Sequence, residues 1–285
     1  MEKKGNEIKN WDYSYKDFKT TYTECPTTPA GLVNYLQFQF VQEDIDRYLS
    51  SKDKLRILEV GCGGARTSLF LASRGYDVTC ADFSPEAIRL AKENFASFGA
   101  EGNFVQDDLL NSKLPEESFD CVMSFGLLEH FEKLNQVVKA STQLLKPGGI
   151  QIHCVITRKF STQTVMQILF YPVNLIKNLL NSKRHKNIFK KSYRDFPHYE
   201  NAFSYREYCR IFQEEGNSVL KCEAGGVLYP FIAFLPFGIG NFVVTKFQKV
   251  LSELIRKIDR SESKIMHFFS PTFLIICRKD QRKIC

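Results

Sequence analysis

The alternation of short apolar runs with helical patterns between residues 55 and 156 is the feature that most limits how this chain can fold. Five runs rich in aliphatic and β-branched residues lie at residues 55–60, 77–82, 103–106, 119–125 and 150–156. Strands that alternate with helices form βαβ units, which place the strands parallel in one sheet. Two later runs, at residues 218–222 and 272–277, predict further strands. The sequence therefore predicts an α/β protein.

The ends of two helices can be predicted from local chemistry. Ser84 offers a capping hydroxyl directly before a proline, and Gly99 is placed to end the same helix. Ser204 and Glu207 have the spacing of a capping box, which predicts a second helix beginning there.

A glycine-rich loop follows the first predicted strand. Residues 59–66 read E-V-G-C-G-G-A-R, and glycines at such a turn let the backbone approach a ligand just before a helix. The dinucleotide fingerprint G-x-G-x-x-G would require glycine in place of Arg66. A NAD-dependent oxidoreductase is therefore disfavoured.

Carboxylates follow the next two strands. Asp82 ends the second strand, 21 residues after Gly61, and a carboxylate at this spacing can accept both hydroxyls of a ribose. Its alternative role is to cap the helix that begins at Ser84. Asp107 and Asp108 follow the third strand, where one of them could accept a hydrogen bond from an adenine amino group. These positions favour an adenosine-containing ligand.

Together these motifs closely resemble those of the class I S-adenosylmethionine (SAM)-dependent methyltransferases of the small-molecule type. The resemblance covers residues 50–156 and rests on five segments in order: E-V-G-C-G-G-A-R, D-F-S-P-E-A-I, Q-D-D-L, S-F-D-C-V-M-S-F-G-L-L-E-H-F and L-L-K-P-G-G. It implies a Rossmann-like seven-stranded sheet in the order 3-2-1-4-5-7-6, with strand 7 antiparallel. Helices on both faces and an inserted helical cap complete the expected fold.

The resemblance also implies which residues bind SAM. Glu59, Gly61 and Gly63 would bind the methionine end, and Cys62 of the same loop is a further cofactor-binding candidate. Asp82 would bind the ribose, Phe83 would pack on the adenine, and Asp108 and Leu109 would bind its edge. Ser124, Phe125 and Gly126 would line the sulfonium. Ala65 stands where these enzymes usually have the last glycine of the loop. Alanine is small, so we expect binding to survive this change.

Methyl transfer is a direct in-line displacement, which depends on orientation and desolvation more than on a strong base. Glu129 and His130 follow the fourth strand, where a helix is expected to begin near Leu127, and His130 could remove a proton from the acceptor. The alternative is that His130 only caps this helix. Related quinone-precursor O-methyltransferases bind a divalent metal through E-x-x-E-H, but Gly126 replaces the first glutamate here, so we expect no metal.

The region after residue 156 is rich in aromatic residues and predicts a small, largely apolar or lipid-like acceptor. Candidate acceptor contacts are His198, Tyr199 and Tyr205. We predict four parts of the chain: an N-terminal helical segment covering the cofactor site (1–50), the SAM-binding core (51–156), a cap insertion (157–203), and the C-terminal part of the core (204–285) with a second cap insertion at 224–265.

Basic residues raise the question of a membrane surface. The net charge is +7, residues 177–194 contain seven basic and no acidic side chains, and residues 242–258 form a basic amphipathic pattern. The alternative for residues 177–194 is a solvated surface loop, and the alternative for residues 242–258 is packing onto the sheet. The polar N-terminus has no apolar leader, so the cytosol is the expected compartment, and peripheral association with an anionic membrane stays open.

Three rival functions remain to be weighed. A nucleic-acid methyltransferase would show N/D-P-P-Y/F or Pro-Cys after the fourth strand, and residues 124–127 read S-F-G-L, so nucleic acid is an unfavoured partner. A non-catalytic SAM-binding protein is the second rival, and the oxidoreductase is the third. The sequence does not name the acceptor or the oligomeric state.

Its nine scattered cysteines, with no C-x-x-C pair, predict reduced thiols without a disulfide framework or zinc site.

Overall fold

The computed structural model describes residues 23–49, 54–157, 160–169, 201–233, 235 and 238–281. At its centre is a seven-stranded sheet in the order β3-β2-β1-β4-β5-β7-β6. The strands are β1 (Arg56–Val60), β2 (Asp77–Asp82), β3 (Asn103–Gln106), β4 (Phe119–Phe125), β5 (Leu145–Ile156), β6 (Asn217–Gly225) and β7 (Thr272–Lys279). Strand β7 pairs antiparallel with both β5 and β6, whereas the pairs formed by β1 to β5 are parallel.

This topology confirms the predicted strand order and the antiparallel seventh strand. Strand β5 begins at Leu145, five residues earlier than predicted, and its pairing with β4 shifts register between Phe119 and Cys121. At Gly149 a Cβ atom would lie 2.9 Å from the backbone oxygen of Asp120, so glycine allows the two strands to approach here. The carboxyl ends of the parallel strands meet at one edge of the sheet, which we call the carboxyl edge.

Eight labelled helices surround the sheet. They are α1 (Pro29–Tyr48), α2 (Arg66–Ala72), α3 (Pro85–Phe98), α4 (Leu134–Leu144), α5 (Tyr205–Glu214), α6 (Tyr229–Ala233), α7 (Ile239–Asp259) and α8 (Lys264–Phe269), and residues 162–169 are also helical. The predicted caps are confirmed: Ser84 Oγ accepts from Ala87 N at 3.2 Å, Gly99 ends α3 at φ +62°, and Ser204 forms a capping box with Glu207. The helix expected near Leu127 begins only at Leu134, because a 3₁₀ turn at Leu128–His130 precedes it.

The sheet is buried between two layers of helices. On one face, apolar side chains of β1, β2 and β5 pack with α1, α2 and α3, and α1 and α2 also contact each other through Phe38 and Phe70. On the other face, Val155 and Phe273 pack with Val137 and Tyr208 from α4 and α5. Alternate residues of a strand point to opposite faces, so each strand contributes to both layers.

Helix α7 packs chiefly against α1, and it also contacts strand β6 of the sheet. Its buried residues Val244 and Ile255 form a cluster with Leu32 and Leu36 of α1. Ion pairs fix the end of this contact, since the Arg260 guanidinium contacts the carboxylates of Glu43, Asp44 and Glu223. Arg256 also faces α1, where it contacts Glu43 and Gln39.

The opposite face of α7 is turned outward, and we call it the outer face of α7. Its apolar side chains are 44–64% exposed; they are Ile239, Phe242, Phe247, Val250 and Leu254. Lys246, Lys249 and Lys257 are exposed on the same helix. Within the described ranges, no helix combines the length and apolar composition that a membrane crossing needs.

Candidate functional site

The glycine-rich loop leaves β1 at the carboxyl edge. Gly61 and Gly63 have φ values of +63° and +51°, a region that side-chain-bearing residues rarely adopt. A Cβ atom at Gly61 would lie only 2.7 Å from Cδ1 of Leu127, so this position also requires the absence of a side chain. The loop is joined to β2 by two hydrogen bonds, from Cys62 N to Ala81 O (3.1 Å) and from Gly63 N to the Asp82 carboxylate (2.9 Å).

Ala65 takes the left-handed conformation that the usual glycine would adopt, with φ +50° and ψ +41°. This conformation costs an alanine ~1–2 kcal/mol. The methyl group is buried among the apolar residues under α2, which offsets part of that cost. Survival of SAM binding with alanine at this position stays a prediction.

Glu59 lies buried beneath the loop. Its Oε2 accepts hydrogen bonds from Ser68 Oγ (2.6 Å) and Ser68 N (3.1 Å). Burial raises the pKa of Glu59 to about 7, and the bonds from Ser68 oppose that rise only in part. A cationic ligand nearby would favour the ionised form, so binding of such a ligand and deprotonation of Glu59 are coupled.

Cys62 places its side chain in the core. The thiol is buried against Cys80, and this contact together with burial raises the pKa of Cys62 well above its usual value. Only the backbone of Cys62 is placed to meet a ligand. The eight cysteines in the described ranges are all free thiols.

The Asp82 carboxylate joins the loop to helix α3. Oδ2 accepts from Gly63 N, and Oδ1 accepts from Ser84 N at 3.0 Å, while the N-cap of α3 is Ser84 itself. Each carboxylate oxygen can accept a second hydrogen bond. Ribose binding by Asp82 therefore stays a prediction that is compatible with the bonds it accepts from Gly63 and Ser84.

The residues predicted to surround an adenine lie next to Asp82. Asp107 N donates to Asp82 O (3.0 Å), and Gln106 Nε2 donates to the backbone oxygen of the half-buried Phe83 (3.1 Å). Asp108 caps the 3₁₀ turn Leu109–Asn111, since its oxygens accept from Leu110 N (3.2 Å) and Asn111 Nδ2 (2.7 Å). Asp108 thus has a local structural role in addition to the predicted one.

The side chains of Ser124 and Phe125 lie on opposite faces of β4. The Ser124 side chain is fully buried, and its Oγ lies 2.7 Å from Nδ1 of His153 on β5. The side chain is therefore turned into the protein, and only the backbone of Ser124 remains a candidate to line the sulfonium. Phe125 is half-buried on the face that carries α1 and α2.

His153 belongs to a buried polar network that the sequence analysis missed. Its Nε2 lies 2.9 Å from Gln151 Oε1, and Gln151 Nε2 donates to Thr142 (2.8 Å) and Asn217 (2.9 Å). Burial lowers the pKa of His153 to about 3, so the ring is neutral. The available signal was the polar Gln151 and His153 inside the apolar strand I-Q-I-H-C-V-I.

Glu129 and His130 lie in the turn that follows β4 at the carboxyl edge. Glu129 is buried, and its Oε1 accepts from Ile156 N at 3.3 Å, while Gly126 N donates to Cys154 O at 2.9 Å. Glu129 thus joins the ends of β4 and β5. His130 is half-buried and ends the 3₁₀ turn, with its backbone N–H bonded to Leu127 O. Its roles as a base and as a cap both remain predictions.

The acceptor candidates fall in different parts of the chain. His198 and Tyr199 lie outside the described residues. Tyr205 begins α5 and stacks on His267 of α8, with ring centroids 4.0 Å apart and an interplanar angle of 9°. This contact assigns Tyr205 a packing role between the two helices, and acceptor binding by Tyr205 stays a prediction. Within the described ranges no group of His, Cys, Asp or Glu could hold a metal ion.

Comparisons with known proteins agree with this arrangement. Residues 57–149 match the family model of a methyltransferase domain. The chain is 32% identical over 129 residues to a ubiquinone biosynthesis O-methyltransferase of Rickettsia typhi, which is 44% of this chain and 51% of that protein. The chain thus spans about half the length of the curated relatives it matches.

Solved structures are similar over most of the chain. An S-adenosylmethionine-dependent methyltransferase from Clostridium acetobutylicum superimposes with a TM-score of 0.54 at 14% identity, covering 86% of this chain and 91% of that one. A [4+2]-cyclase superimposes with a TM-score of 0.54 at 13% identity, covering 85% of this chain and 80% of the cyclase. At these identities the similarity establishes the fold alone.

Proposed function

We propose that this chain, whose residues 57–149 match a methyltransferase domain, is a class I SAM-dependent enzyme that transfers the methyl group of SAM to a hydroxyl of a small, largely apolar acceptor. The observation that carries the proposal is the bond from Gly63 N to Asp82, which sets the glycine-rich loop against the end of β2. Ligands of open α/β sheets bind at this carboxyl edge. The hydroxyl as acceptor group is taken from the O-methyltransferase relatives.

The glycine-rich loop and the end of β2 together suit a ligand that carries a positive charge and contains a ribose. Glu59 and Asp82 place two carboxylates at the ends of β1 and β2, and Gly61 and Gly63 keep the loop free of side chains. The sulfonium of SAM supplies an electrophilic methyl group. An ionised Glu59 would be stabilised by the cationic methionine end, which offsets the cost of its burial.

The chain contributes orientation and exclusion of water to the reaction. Phe125 and the turn after β4 would hold the acceptor oxygen in line with the methyl–sulfur bond, and Leu127 covers Gly61. The backbone of Gly61 and Gly63, with the carboxylates of Glu59 and Asp82, would hold SAM so that its methyl group is presented to this oxygen. His130 is our candidate to take the hydroxyl proton and pass it to water.

Apolar side chains at the carboxyl edge support the proposed acceptor class. Ile156, at the end of β5, is 52% exposed, and its Cδ1 lies 3.4 Å from where a Cβ of Gly126 would be. Phe160 and Phe268 pack together with ring centroids 6.4 Å apart, and both are more than half exposed. An acceptor that covers such side chains gains affinity from their burial.

The test is S-adenosylhomocysteine formation from SAM and 4-octylcatechol, with the polar 3,4-dihydroxybenzoate as the comparison acceptor. We expect turnover to favour the alkyl catechol and to fall at least tenfold in Asp82→Ala. Asp77→Ala is the matched control, because Asp77 lies at the opposite end of the same strand. SAM binding without turnover of any hydroxyl acceptor would favour the non-catalytic alternative, and unchanged SAM affinity in Asp82→Ala would contradict the ribose assignment.

We further propose that the protein associates with the surface of an anionic membrane through the outer face of α7. Its exposed apolar residues alternate with Lys246, Lys249 and Lys257, and a lysine near an anionic bilayer contributes ~1 kcal/mol. Flotation with phosphatidylglycerol vesicles should recover the protein, and phosphatidylcholine vesicles or 0.5 M salt should not. The double variant Lys246→Glu/Lys249→Glu should lose flotation and keep SAM affinity. Equal recovery of both proteins would reject this surface.

A further inference from the structure

We propose that Asn201 is a positioning residue for methyl transfer, which holds the turn after β4 beside the glycine-rich loop. The turn comprises residues 127–131 and contains His130. The inference rests on the proposed function, because the placement of this turn matters for transfer only if the adjacent loop binds SAM.

Asn201 supplies hydrogen bonds that the short turn lacks. Within the turn, His130 N donates to Leu127 O (3.1 Å) and Phe131 N donates to Leu128 O (3.3 Å). From outside, Asn201 N donates to Glu129 O (2.6 Å), and Asn201 Nδ2 donates to Leu128 O and Phe131 O, both at 3.1 Å. One residue that lies 70 or more positions away in the sequence thus contacts three carbonyl groups of the turn.

The amide of Asn201 is itself fixed in orientation. Its Oδ1 accepts from the hydroxyl of Tyr208 at 3.0 Å, and Tyr208 is fully buried on α5, where its ring meets Phe273 with centroids 5.2 Å apart. Because Oδ1 faces this hydroxyl, Nδ2 must face the turn. Asn201 is 6% exposed, and a buried amide in such a network loses stability when any partner is removed.

The other contacts of the turn join it to the glycine-rich loop and to the end of β5. Leu127 fills the space beside Gly61 of the glycine-rich loop, and Glu129 binds the end of β5 through Ile156 N. Asn201 is therefore the third fixed point of the turn, and it connects the turn to α5. Loss of this point would leave the loop joined to Asp82 while His130 and the acceptor side of the turn change position.

The variants that test this role are Asn201→Ala and the milder Tyr208→Phe. The control is Asn217→Ala, because Asn217 is also a buried amide that donates to backbone oxygens, those of Phe212 and Glu215, but lies at the amino end of β6. Hydrogen exchange is measured for residues 127–131 and for the loop at 61–65. Calorimetry with S-adenosylhomocysteine and kinetics with SAM and 4-octylcatechol complete the set.

We expect Asn201→Ala to raise amide exchange at His130 and Phe131 at least tenfold and to lower kcat/KM for the catechol at least tenfold, with S-adenosylhomocysteine affinity within threefold of wild type. Tyr208→Phe should show the same pattern more weakly, and it remains informative if Asn201→Ala fails to fold. Equal effects in Asn217→Ala, or unchanged exchange in residues 127–131, would overturn the proposal. If the wild type binds S-adenosylhomocysteine but does not methylate the catechol, the proposed acceptor is wrong, and the exchange result still decides whether Asn201 holds the turn.

Discussion

Replacing Glu59 by glutamine should change how the stability of the protein depends on pH. The pKa of Glu59 is raised from its ordinary 4.5 to about 7 by burial, so the folded state binds its proton more tightly than the unfolded chain does. The stabilisation is complete below pH 4.5 and is lost as the pH rises to about 7. At 1.36 kcal/mol per pKa unit, the loss is about 3 kcal/mol.

Urea unfolding of wild type and Glu59→Gln between pH 4.5 and 8.5 measures this effect. The free energy of unfolding of the variant, relative to wild type, should rise by about 3 kcal/mol across that range, because glutamine does not titrate. Asp259, whose pKa burial raises to about 6, contributes equally to both proteins, and its effect cancels in the difference. Glu93→Gln, an exposed glutamate on α3, is the control and should give a flat difference.

The same coupling predicts an effect on the cofactor. Since a cationic ligand favours ionised Glu59, SAM binding near pH 6 should release protons in the wild type and fewer in Glu59→Gln. Calorimetry in buffers of different ionisation enthalpy detects this difference. A stability difference that stays within 1 kcal/mol from pH 4.5 to 8.5 would refute the reasoning about Glu59.

Three further substitutions test other parts of the structure. Gly61→Ala should destabilise the protein by more than Gly99→Ala, since both glycines have φ near +62° but only Gly61 has a side chain, that of Leu127, within 4 Å; equal losses in thermal unfolding would contradict the close approach. Asp259→Ala should cost ~2–3 kcal/mol in urea unfolding at pH 5, below the pKa of about 6, because it leaves Gly226 N and Val227 N, 2.9 and 3.0 Å from the carboxyl oxygens, without their acceptors; an unchanged midpoint would be inconsistent with this. Ser124→Ala should leave SAM affinity within twofold and lower stability by ~1 kcal/mol, since its hydroxyl bonds to His153; a large loss of affinity would restore Ser124 to the cofactor site.

The elements of this fold could be predicted because they depend on neighbours in sequence. Strands β2, β3 and β4 have the bounds that their apolar runs predicted, and the caps at Ser84 and Ser204 involve residues only three positions apart. The strand order was available only through the resemblance to methyltransferases. Periodicity alone does not specify which strands pair.

The directions of individual side chains required the tertiary structure. The sequence analysis predicted that Ser124 lines the sulfonium, but the alternation of side chains along β4 turns its hydroxyl toward His153, 29 residues away. Asn201 carried no recognisable motif, because its importance comes from carbonyl groups that lie 70 or more positions earlier. The amphipathic pattern of α7 likewise distinguished an apolar face from a basic face, but it did not show which elements of the fold pack against each of them.

What the sequence determined by itself is therefore the local framework and the position of the glycine-rich loop at the end of β1. What only the tertiary structure decided is which polar groups already have partners, such as Asp82 with Gly63 and Ser84, and which face of α7 is covered by α1. The physical reason is that helix caps and strand periodicity depend on short-range backbone geometry. Hydrogen bonds and burial between distant segments depend on how the whole chain packs.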